Sequence, residues 1–416
     1  MFIEDQVLRL VERRLVGAGV SVRLELWNGR GVDLGGAPRV TLRLNRPAAA
    51  LRLLRPSLDA LGEAYVDGAL DAEGSTGDLL RVAEALSRPP DGRARRKRGR
   101  RRSHSRRLDR HAIGSHYDVS NEFYALWLDR ELVYSCGYFR RGDEDIHAAQ
   151  QQKLEHICRK LMLEPGDRFL DVGCGWGALI RYAARNYGVK ATGITLSLNQ
   201  HEYAWARIRE EGLEDRCEVK LLDYRDLPRE PVFDKIASVG MVEHVGLENL
   251  PRYFEALQRC LKGGGLLLNH GISSSDPDHA PPEVGGSAFI ERYVFPHSDL
   301  PHVGLAAQEM TRQDLEPVDV ESLRRHYAKT LLHWVARLDS RAEEARALVG
   351  DKRYRIWRIY MAGSSYAFER GWISVYQTLA AKPSATGRLS LPLTREHLYA
   401  PTRAPLLHLA SARNST

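Results

Sequence analysis

The sequence predicts an α/β protein built on a doubly wound, mostly parallel sheet. Two observations carry that prediction. From Phe169 onward, short apolar runs alternate with helix-length segments over short connections, the pattern of parallel strands with helices on both faces. The first run, Phe169-Leu170-Asp171-Val172, enters a glycine-rich turn, Gly173-Cys174-Gly175-Trp176-Gly177, and a helix from Ala178 to Tyr187 follows at once. Glycines there let the backbone approach a ligand closely, at the point where a helix presents its first amides. The spacing is G-x-G-x-G rather than the dinucleotide G-x-G-x-x-G. Taken alone, the turn points to a nucleotide-like cofactor and no further.

Residues 1–88 read as a small α+β accessory domain. Val22, Leu24 and Leu26 alternate with polar neighbours, as do Val40, Leu42 and Leu44, which predicts two half-buried strands. Helices are expected from Pro47, over Pro56 to Asp67 and over Thr76 to Leu86, with Gly68 and Gly74 at turns or helix ends. Residues 89–112 form a linker. Pro89-Pro90-Asp91-Gly92 breaks structure, and residues 93–110 hold eleven Lys/Arg and one Asp, a net of +10. The whole chain carries +7, so everything outside that run sums to about −3. Basicity is a property of one segment, suited to polyanions such as nucleic acid or anionic lipid head groups. The run contains no aromatic residue, which weakens the case for stacking on single strands.

The catalytic domain is expected over residues 113–382. His116-Tyr117-Asp118 precedes an aromatic amphipathic helix carrying Phe123, Trp127 and Leu128, and Tyr134 to Phe139 is an apolar-aromatic loop with one thiol. A helix over Gln150 to Leu163 leads into the sheet. Strands are expected at Phe169–Val172, Lys190–Thr195, Glu218–Leu222, Lys235–Val239 and Leu266–Leu268, with helices over Ala178–Tyr187, Asn199–Glu211 and Leu250–Leu261. Two long helical stretches, 319–349 and 352–380, follow; their Trp357, Tyr360, Met361, Tyr366, Phe368, Trp372 and Tyr376 suit a helical substrate-covering region. Residues 383–416 read as a tail of low order.

In an open α/β sheet, ligands sit at the carboxyl ends of the strands. All five ends are polar here: Asp171, Gly173 and Gly175; Thr195, Ser197 and Gln200; Asp223 and Tyr224; Glu243 and His244; Asn269 and His270. No run of ~18 apolar residues predicts a membrane-spanning helix. The start, Met1-Phe2-Ile3-Glu4-Asp5, does not read as a secretory signal. Cys136, Cys158, Cys174, Cys217 and Cys260 are scattered without C-x-x-C pairs, which suggests reduced thiols in a cytoplasmic protein and no metal site.

Six segments in one order then resemble a known family. They are Tyr134-Ser135-Cys136, Asp171 to Gly177, Thr195 to Gln200, Asp223 to Asp226, Val239 to Gly246 and Tyr293 to Pro296. Together they are similar to the cyclopropane-fatty-acyl-phospholipid synthases over roughly residues 40–380, and Leu61 to Gly68 is similar to that family's accessory domain. The resemblance implies a methyltransferase (Rossmann-like) sheet and S-adenosylmethionine as cofactor. Matching positions imply cofactor contacts from Tyr134, Ser135, Asp171, Gly173, Cys174, Gly175, Thr195, Gln200, Asp223, Tyr224 and Arg225. It also implies a bicarbonate ion held by Cys136, Glu243, His270, the backbone of Ile272 and Tyr327. No metal is implied.

The implied reaction moves the methyl carbon of S-adenosylmethionine to the cis double bond of unsaturated acyl chains in membrane phospholipids. Loss of a proton from that carbon then closes a cyclopropane ring. A small anion beside the methyl stabilises the cation and accepts the proton, and such stabilisation is strong where water is excluded. Glu243 beside an anion needs a proton or a hydrogen-bonded arrangement, because like charges raise a pKa, and an elevated pKa is expected. Without ring closure, the same pocket gives a methylene or methyl-branched chain. Where some members carry a cysteine in the last long helix, this chain has Ser364, so a covalent route through that position is not expected. Peripheral association with the inner face of the cell membrane is expected, with a homodimer as the assembly and no nucleic-acid partner. The accessory domain is a candidate for lipid contact or dimer formation.

Overall fold

The computed structural model describes residues 2–15, 19–54, 56–88, 120–278, 285–296, 299–389 and 391–399. The basic run 93–110, the segment His116-Tyr117-Asp118 and residues 400–416 lie outside the described residues. The described residues cluster in two units.

The first unit draws on the ranges Met1–Arg100, Asp278–Pro296 and Trp334–Trp372. Its four-stranded sheet runs β2-β1-β3-β4, from β1 (Val22–Glu25), β2 (Gly31–Leu34), β3 (Val40–Leu44) and β4 (Leu70–Gly74). β1 pairs parallel with β3; the other pairings are antiparallel. Helices span Phe2–Leu15, Pro47–Leu54, Leu58–Val66 and Thr76–Ser87, the last two capped by Ser57 and Ser75. The alternation read in β1 and β3 is a burial alternation, with Val22, Leu24, Val40, Leu42 and Leu44 in one apolar core with Val7, Val11 and Leu53. The helix Phe2–Leu15 and strands β2 and β4 were not expected. Within this unit the helix Asp351–Arg370 is tied to the N-terminal segment: Arg355 bonds Asp71 at 2.7 Å and the Tyr65 carbonyl at 3.1 Å, and Tyr366 bonds Glu84.

The second unit, within Arg101–Pro277, His297–His333 and Ile373–Thr416, holds the main sheet. Its strands are β5 (Arg168–Val172), β6 (Lys190–Thr195), β7 (Cys217–Leu221), β8 (Phe233–Val239), β9 (Leu261–Ser274), β10 (Glu316–Ser322) and β11 (Ile373–Ala381). The order is β10-β11-β9-β8-β5-β6-β7. β5 to β9 are mutually parallel, and β11 is antiparallel to both β9 and β10. The expected doubly wound α/β sheet is therefore present. The chain leaves β5 toward β6 and β7, then returns to β8 and β9 on the other side. The winding reverses between β5 and β8, where an open α/β sheet forms its ligand crevice.

Neighbouring residues of one strand enter opposite cores, as pleating requires. Phe169 joins one apolar cluster while Leu170 and Val172 join another; Leu266 and Leu268 separate from Leu267 in the same way. Both faces are covered, so these strands read as continuous apolar runs.

The two long helical stretches need correction. Residues 316–322 and 373–381 are strands β10 and β11, and the helices are Arg324–Ser340, Ala342–Val349 and Asp351–Arg370. Tyr376 thus belongs to the sheet. Strand β9 is also far longer than Leu266–Leu268. Toward the C-terminus, Leu398 is buried and its carbonyl accepts from Arg159 at 3.2 Å.

Gly177 caps the helix Ala178–Tyr187 at φ +81°, and a Cβ there would sit 2.9 Å from Cβ of Ala204. Gly175 has φ +54° with open space beside it. Urea unfolding of Gly175→Ala should therefore report the backbone cost alone, about 1–2 kcal/mol. Gly177→Ala should lose at least about 1 kcal/mol more, from the added contact; equal losses would mean that the helix beneath yields freely.

Candidate active site

The glycine turn leaves β5 and closes against β6: the amides of Gly173 and Cys174 both donate to the Ile194 carbonyl at 3.0 Å. Those two amides hold the turn to the sheet and are not offered to a ligand, as the sequence had suggested for the turn in general. The turn forms one wall of a cleft lined by all eleven residues assigned to the cofactor, from Tyr134 and Ser135 through Asp171, Gly173, Cys174, Gly175, Thr195 and Gln200 to Asp223, Tyr224 and Arg225.

Each group is fixed by its neighbours. The ring of Tyr134 sits 5.8 Å from Tyr124 and 5.5 Å from Trp127, on the helix Asn121–Trp127. The helix Ile146–Lys160 holds the loop from the other side: Gln150 donates to the Ser135 carbonyl at 2.8 Å and Lys153 Nζ donates to Ser135 Oγ at 3.0 Å. At the end of β6, Thr195 Oγ1 donates to Gln200 Oε1 at 2.9 Å and accepts from the Ser197 amide, while Ser197 caps the helix Leu198–Glu210. After β7, Asp223 receives Arg225 Nε at 2.8 Å and Nη2 at 2.7 Å, and the guanidinium lies 5.3 Å over the Tyr224 ring. Asp223 thus orients Arg225.

Lys153 was missed by sequence reasoning. It lines the cleft, is 2% exposed, and lies on the same helical stripe as Gln150 and Ile157. A lysine on an otherwise buried stripe was the available signal. Burial lowers its pKa to about 8, against the pull of Asp129 and Asp171. Burial likewise pushes Asp171 up to about 7, opposed by Lys153. Asp171 Oδ1 is buried without a hydrogen-bond partner among the described residues. An acceptor of that kind in the cleft fits an ammonium group, such as the one S-adenosylmethionine carries.

The five residues assigned to the anion do not line this cleft. The structure gathers them in two linked groups. Gly240 N donates to the His270 carbonyl, which sets the end of β8 beside β9, and Glu243 follows in a 3-10 turn. Glu243 Oε1 accepts from the Ile272 amide at 2.6 Å. His270 and Ile272, two apart on β9, share a face. Cys136 Sγ lies 3.8 Å from the Leu323 carbonyl, which also accepts from the Tyr327 amide at 3.0 Å. Leu323 N in turn donates to Val375 O, and Val375 pairs with Ile272. The Ile272 amide, expected as an anion donor, is here engaged by Glu243.

Glu243 Oε2 and His270 Nε2 are buried without hydrogen-bond partners among the described residues. Burial pushes Glu243 up to about 7, against hydrogen bonds from the backbone of Ile272 and its own backbone. Burial, with Lys153 and Lys160 nearby, lowers His270 to about 3. His270 is therefore a neutral imidazole. Burial also pushes the Cys136 thiol well up, so it stays S–H. Two buried, unsatisfied polar atoms on adjacent elements fit a small anion that brings its own donors and acceptors. Among the described residues there is no cluster of metal-ligating side chains.

Residues 104–378 match the family described as mycolic acid cyclopropane synthetase. The chain belongs to this family. A separate domain of unknown function matches residues 17–88. A relative from Pseudomonas putida, named "Probable fatty acid methyltransferase", is 49% identical over 91% of this chain and 96% of its own. The Escherichia coli K12 protein named cyclopropane-fatty-acyl-phospholipid synthase is 32% identical over 87% of this chain and 93% of its own. Among solved structures, mycolic acid cyclopropane synthase CmaA1 complexed with SAH and CTAB is 33% identical, with a TM-score of 0.62 over 65% of this chain and 97% of that one. The cleft at the glycine turn therefore belongs to an S-adenosylmethionine-dependent methyltransferase of the cyclopropane synthase type, acting on fatty acyl chains.

Gly175→Val places a β-branched residue at φ +54° in the cleft wall. Calorimetric titration with S-adenosylhomocysteine should show affinity at least about tenfold weaker, with the far-ultraviolet dichroism unchanged; wild-type affinity would detach the turn from cofactor binding. Glu243 gives a pH-linked signature. Its folded pKa, about 7, lies above the ordinary 4.5, so the folded state holds the proton longer and stability falls as pH rises from 4.5 to 7. Glu243→Gln removes that loss. Its stability relative to wild type should grow by up to about 3 kcal/mol over that window and level off above it; parallel pH curves would place the carboxylate in contact with solvent.

Proposed function

We propose that this chain transfers the methyl carbon of S-adenosylmethionine to the cis double bond of unsaturated acyl chains in membrane phospholipids and closes a cyclopropane ring, with bicarbonate assisting deprotonation. The observation that carries this reading is the pair of buried, unsatisfied atoms, Glu243 Oε2 and His270 Nε2, beside strand ends that also frame the cofactor cleft. Methyl transfer to an oxygen or nitrogen sheds an O–H or N–H proton, which water can take. With an alkene, the delivered carbon must afterwards lose a proton in a site sheltered from water.

S-adenosylmethionine supplies an electrophilic methyl group on a sulfonium. Tyr134, Ser135, Asp171, Thr195, Gln200 and Arg225 would hold it, with Asp171 facing its ammonium. Bicarbonate supplies a compact base of low nucleophilicity. Cys136, Glu243, His270 and Tyr327 would hold it. The chain's own residues give that site its character. Cys136 contributes an S–H donor rather than a nucleophile, since burial opposes the thiolate. His270 is neutral and offers one N–H. Glu243, at about 7, takes the protonated form easily beside an anion, and its other oxygen is braced by the Ile272 amide. The Ile272 amide becomes a donor for the anion only where Glu243 turns away from it.

Phospholipid acyl chains lie in a bilayer, so on this reading the enzyme meets the membrane at its surface. Among the described residues no helix is long and apolar enough to cross a membrane. A second reading, methylation without ring closure, has its own support in the name of the 49% identical relative, which specifies fatty acid methylation and no ring. The experiment that separates them uses carbon-13 methyl-labelled S-adenosylmethionine with vesicles of cis-unsaturated phospholipid. Upfield cyclopropane protons coupled to the label are expected; vinylic or branched-methyl protons would transfer the assignment to the second reading, and no incorporation would overturn both.

A further inference from the structure

The imidazole of His270 lies in a row of side chains that crosses three strands. Gln377 on β11 pairs directly with His270 on β9 and, on its other side, with Glu321 on β10. Directly paired residues of antiparallel strands project to the same face. Gln377 Nε2 lies 3.2 Å from His270 Nδ1, and both side chains are buried. Beyond Gln377, Glu321 is held by His156 at 2.7 Å and by Lys160 at 2.6 Å; burial raises its pKa, but these partners outweigh it and bring it down to about 2. One end of the row is thus a fixed carboxylate in an ion cluster. The other end is the active-site imidazole, with Nε2 unengaged among the described residues.

We propose that Gln377 is a positioning residue: its amide N–H donates to Nδ1 of His270, fixing the ring as the Nε2–H tautomer, so that the active site is presented with a donor and not a lone pair. This rests on the anion-binding reading above. A neutral imidazole has one N–H, and the partner of one nitrogen decides which nitrogen carries it. An anion needs that N–H on Nε2. The partner of Nδ1 must then be a donor. Gln is a neutral side chain that donates and is long enough to bridge the strands. A carboxylate at 377 would do the reverse. It would draw the proton to Nδ1, or make the ring an imidazolium, and would repel an anion. Gln377 also stands between His270 and Glu321, so the ionised carboxylate never reaches the ring. The arrangement costs one unsatisfied acceptor, because Gln377 Oε1 is buried without a partner among the described residues. An unsatisfied buried group of that kind points to function rather than stability.

The test combines nitrogen-15 NMR with kinetics on the full-length protein. Histidine is labelled with nitrogen-15, S-adenosylhomocysteine is bound, and the His270 ring is assigned by its loss in His270→Gln. Wild type should show an unprotonated-type shift at Nδ1 and a protonated-type shift at Nε2. In Gln377→Glu the two should exchange, or both should become protonated. Turnover on unsaturated vesicles should fall at least tenfold, the bicarbonate concentration for half-maximal rate in carbon-dioxide-depleted buffer should rise, and KM for S-adenosylmethionine should not move. Gln377→Leu, which removes the donor without adding charge, should show the lower bicarbonate affinity with unchanged S-adenosylhomocysteine binding. A wild-type ring protonated at Nδ1 would overturn the proposal, as would a Gln377→Glu protein with the wild-type nitrogen pattern. If wild-type turnover were indifferent to added bicarbonate, the anion-assisted reading would fall, while the nitrogen pattern would still decide the tautomer assignment.

Discussion

Strand β9 is hydrogen-bonded on both sides, parallel to β8 and antiparallel to β11, and the reactive part of the site depends on that double pairing. The pairing of Val239 with His270 sets where β8 ends, and the Gly240 amide closes the turn by donating to the His270 carbonyl. Only then does Glu243 reach the Ile272 amide. On the far side, the same register brings Gln377 to His270 and Val375 to Ile272. A slip of one residue would turn His270 and Ile272 to the opposite face. Apolar burial on both faces opposes any such slip, since Leu266, Leu267 and Leu268 would exchange cores as well.

The second constraint is desolvation. Asp171, Glu243 and Lys153 are pushed by burial toward their neutral forms near pH 7, and His270 is held neutral outright. Side chains this deeply buried are ordinarily paired in full. Here Asp171, Glu243 and His270 each keep one atom unengaged among the described residues. Together they describe a site that is electrostatically incomplete by itself. Groups poised in this way respond strongly to a charged ligand, because the low local dielectric magnifies each interaction. A cationic methyl donor at Asp171 and an anion near His270 and Glu243 are complementary to what the fold leaves unsatisfied.

How much of this was legible in the sequence varied with the kind of signal. The glycine turn, Tyr134-Ser135, Thr195 to Gln200 and Asp223 to Arg225 are short contiguous motifs whose chemistry is local, and the structure brings them all to one cleft. Strands β5 to β8 were legible because glycines, caps and helices punctuate them. Strand β11 was not. Ile373 to Ala381 is buried on both faces, so it has no period of two to betray it, and it follows an aromatic helix with a break of only two residues. β10 was hidden by its mixed polar composition before the helix Arg324–Ser340. The misreading of β11 had a consequence. Gln377, assigned to a helix, had no reason to face His270. Lys153 was missed for a related cause, since a buried lysine takes its meaning from Ser135, eighteen positions away in the chain.

The sheet reverses its winding between β5 and β8, and the two tasks of the enzyme divide at that point. On the β5-β6-β7 side, strand ends and the helix Ile146–Lys160 hold groups suited to a nucleoside and an amino acid. On the β8-β9-β11 side they hold a thiol, a neutral imidazole and a carboxyl pushed toward its protonated form, groups suited to a small anion and poor at attacking carbon. That second property is the harder one to build. A thiolate or a free carboxylate beside an activated methyl would be alkylated itself. The fold avoids this by burying Cys136 so that it stays a thiol, and by burying Glu243, which pushes its carboxyl up to about 7 despite the hydrogen bond from the Ile272 amide. Burial thus keeps the thiol of Cys136 and the carboxyl of Glu243 toward their protonated, weakly nucleophilic forms near the methyl-donor cleft.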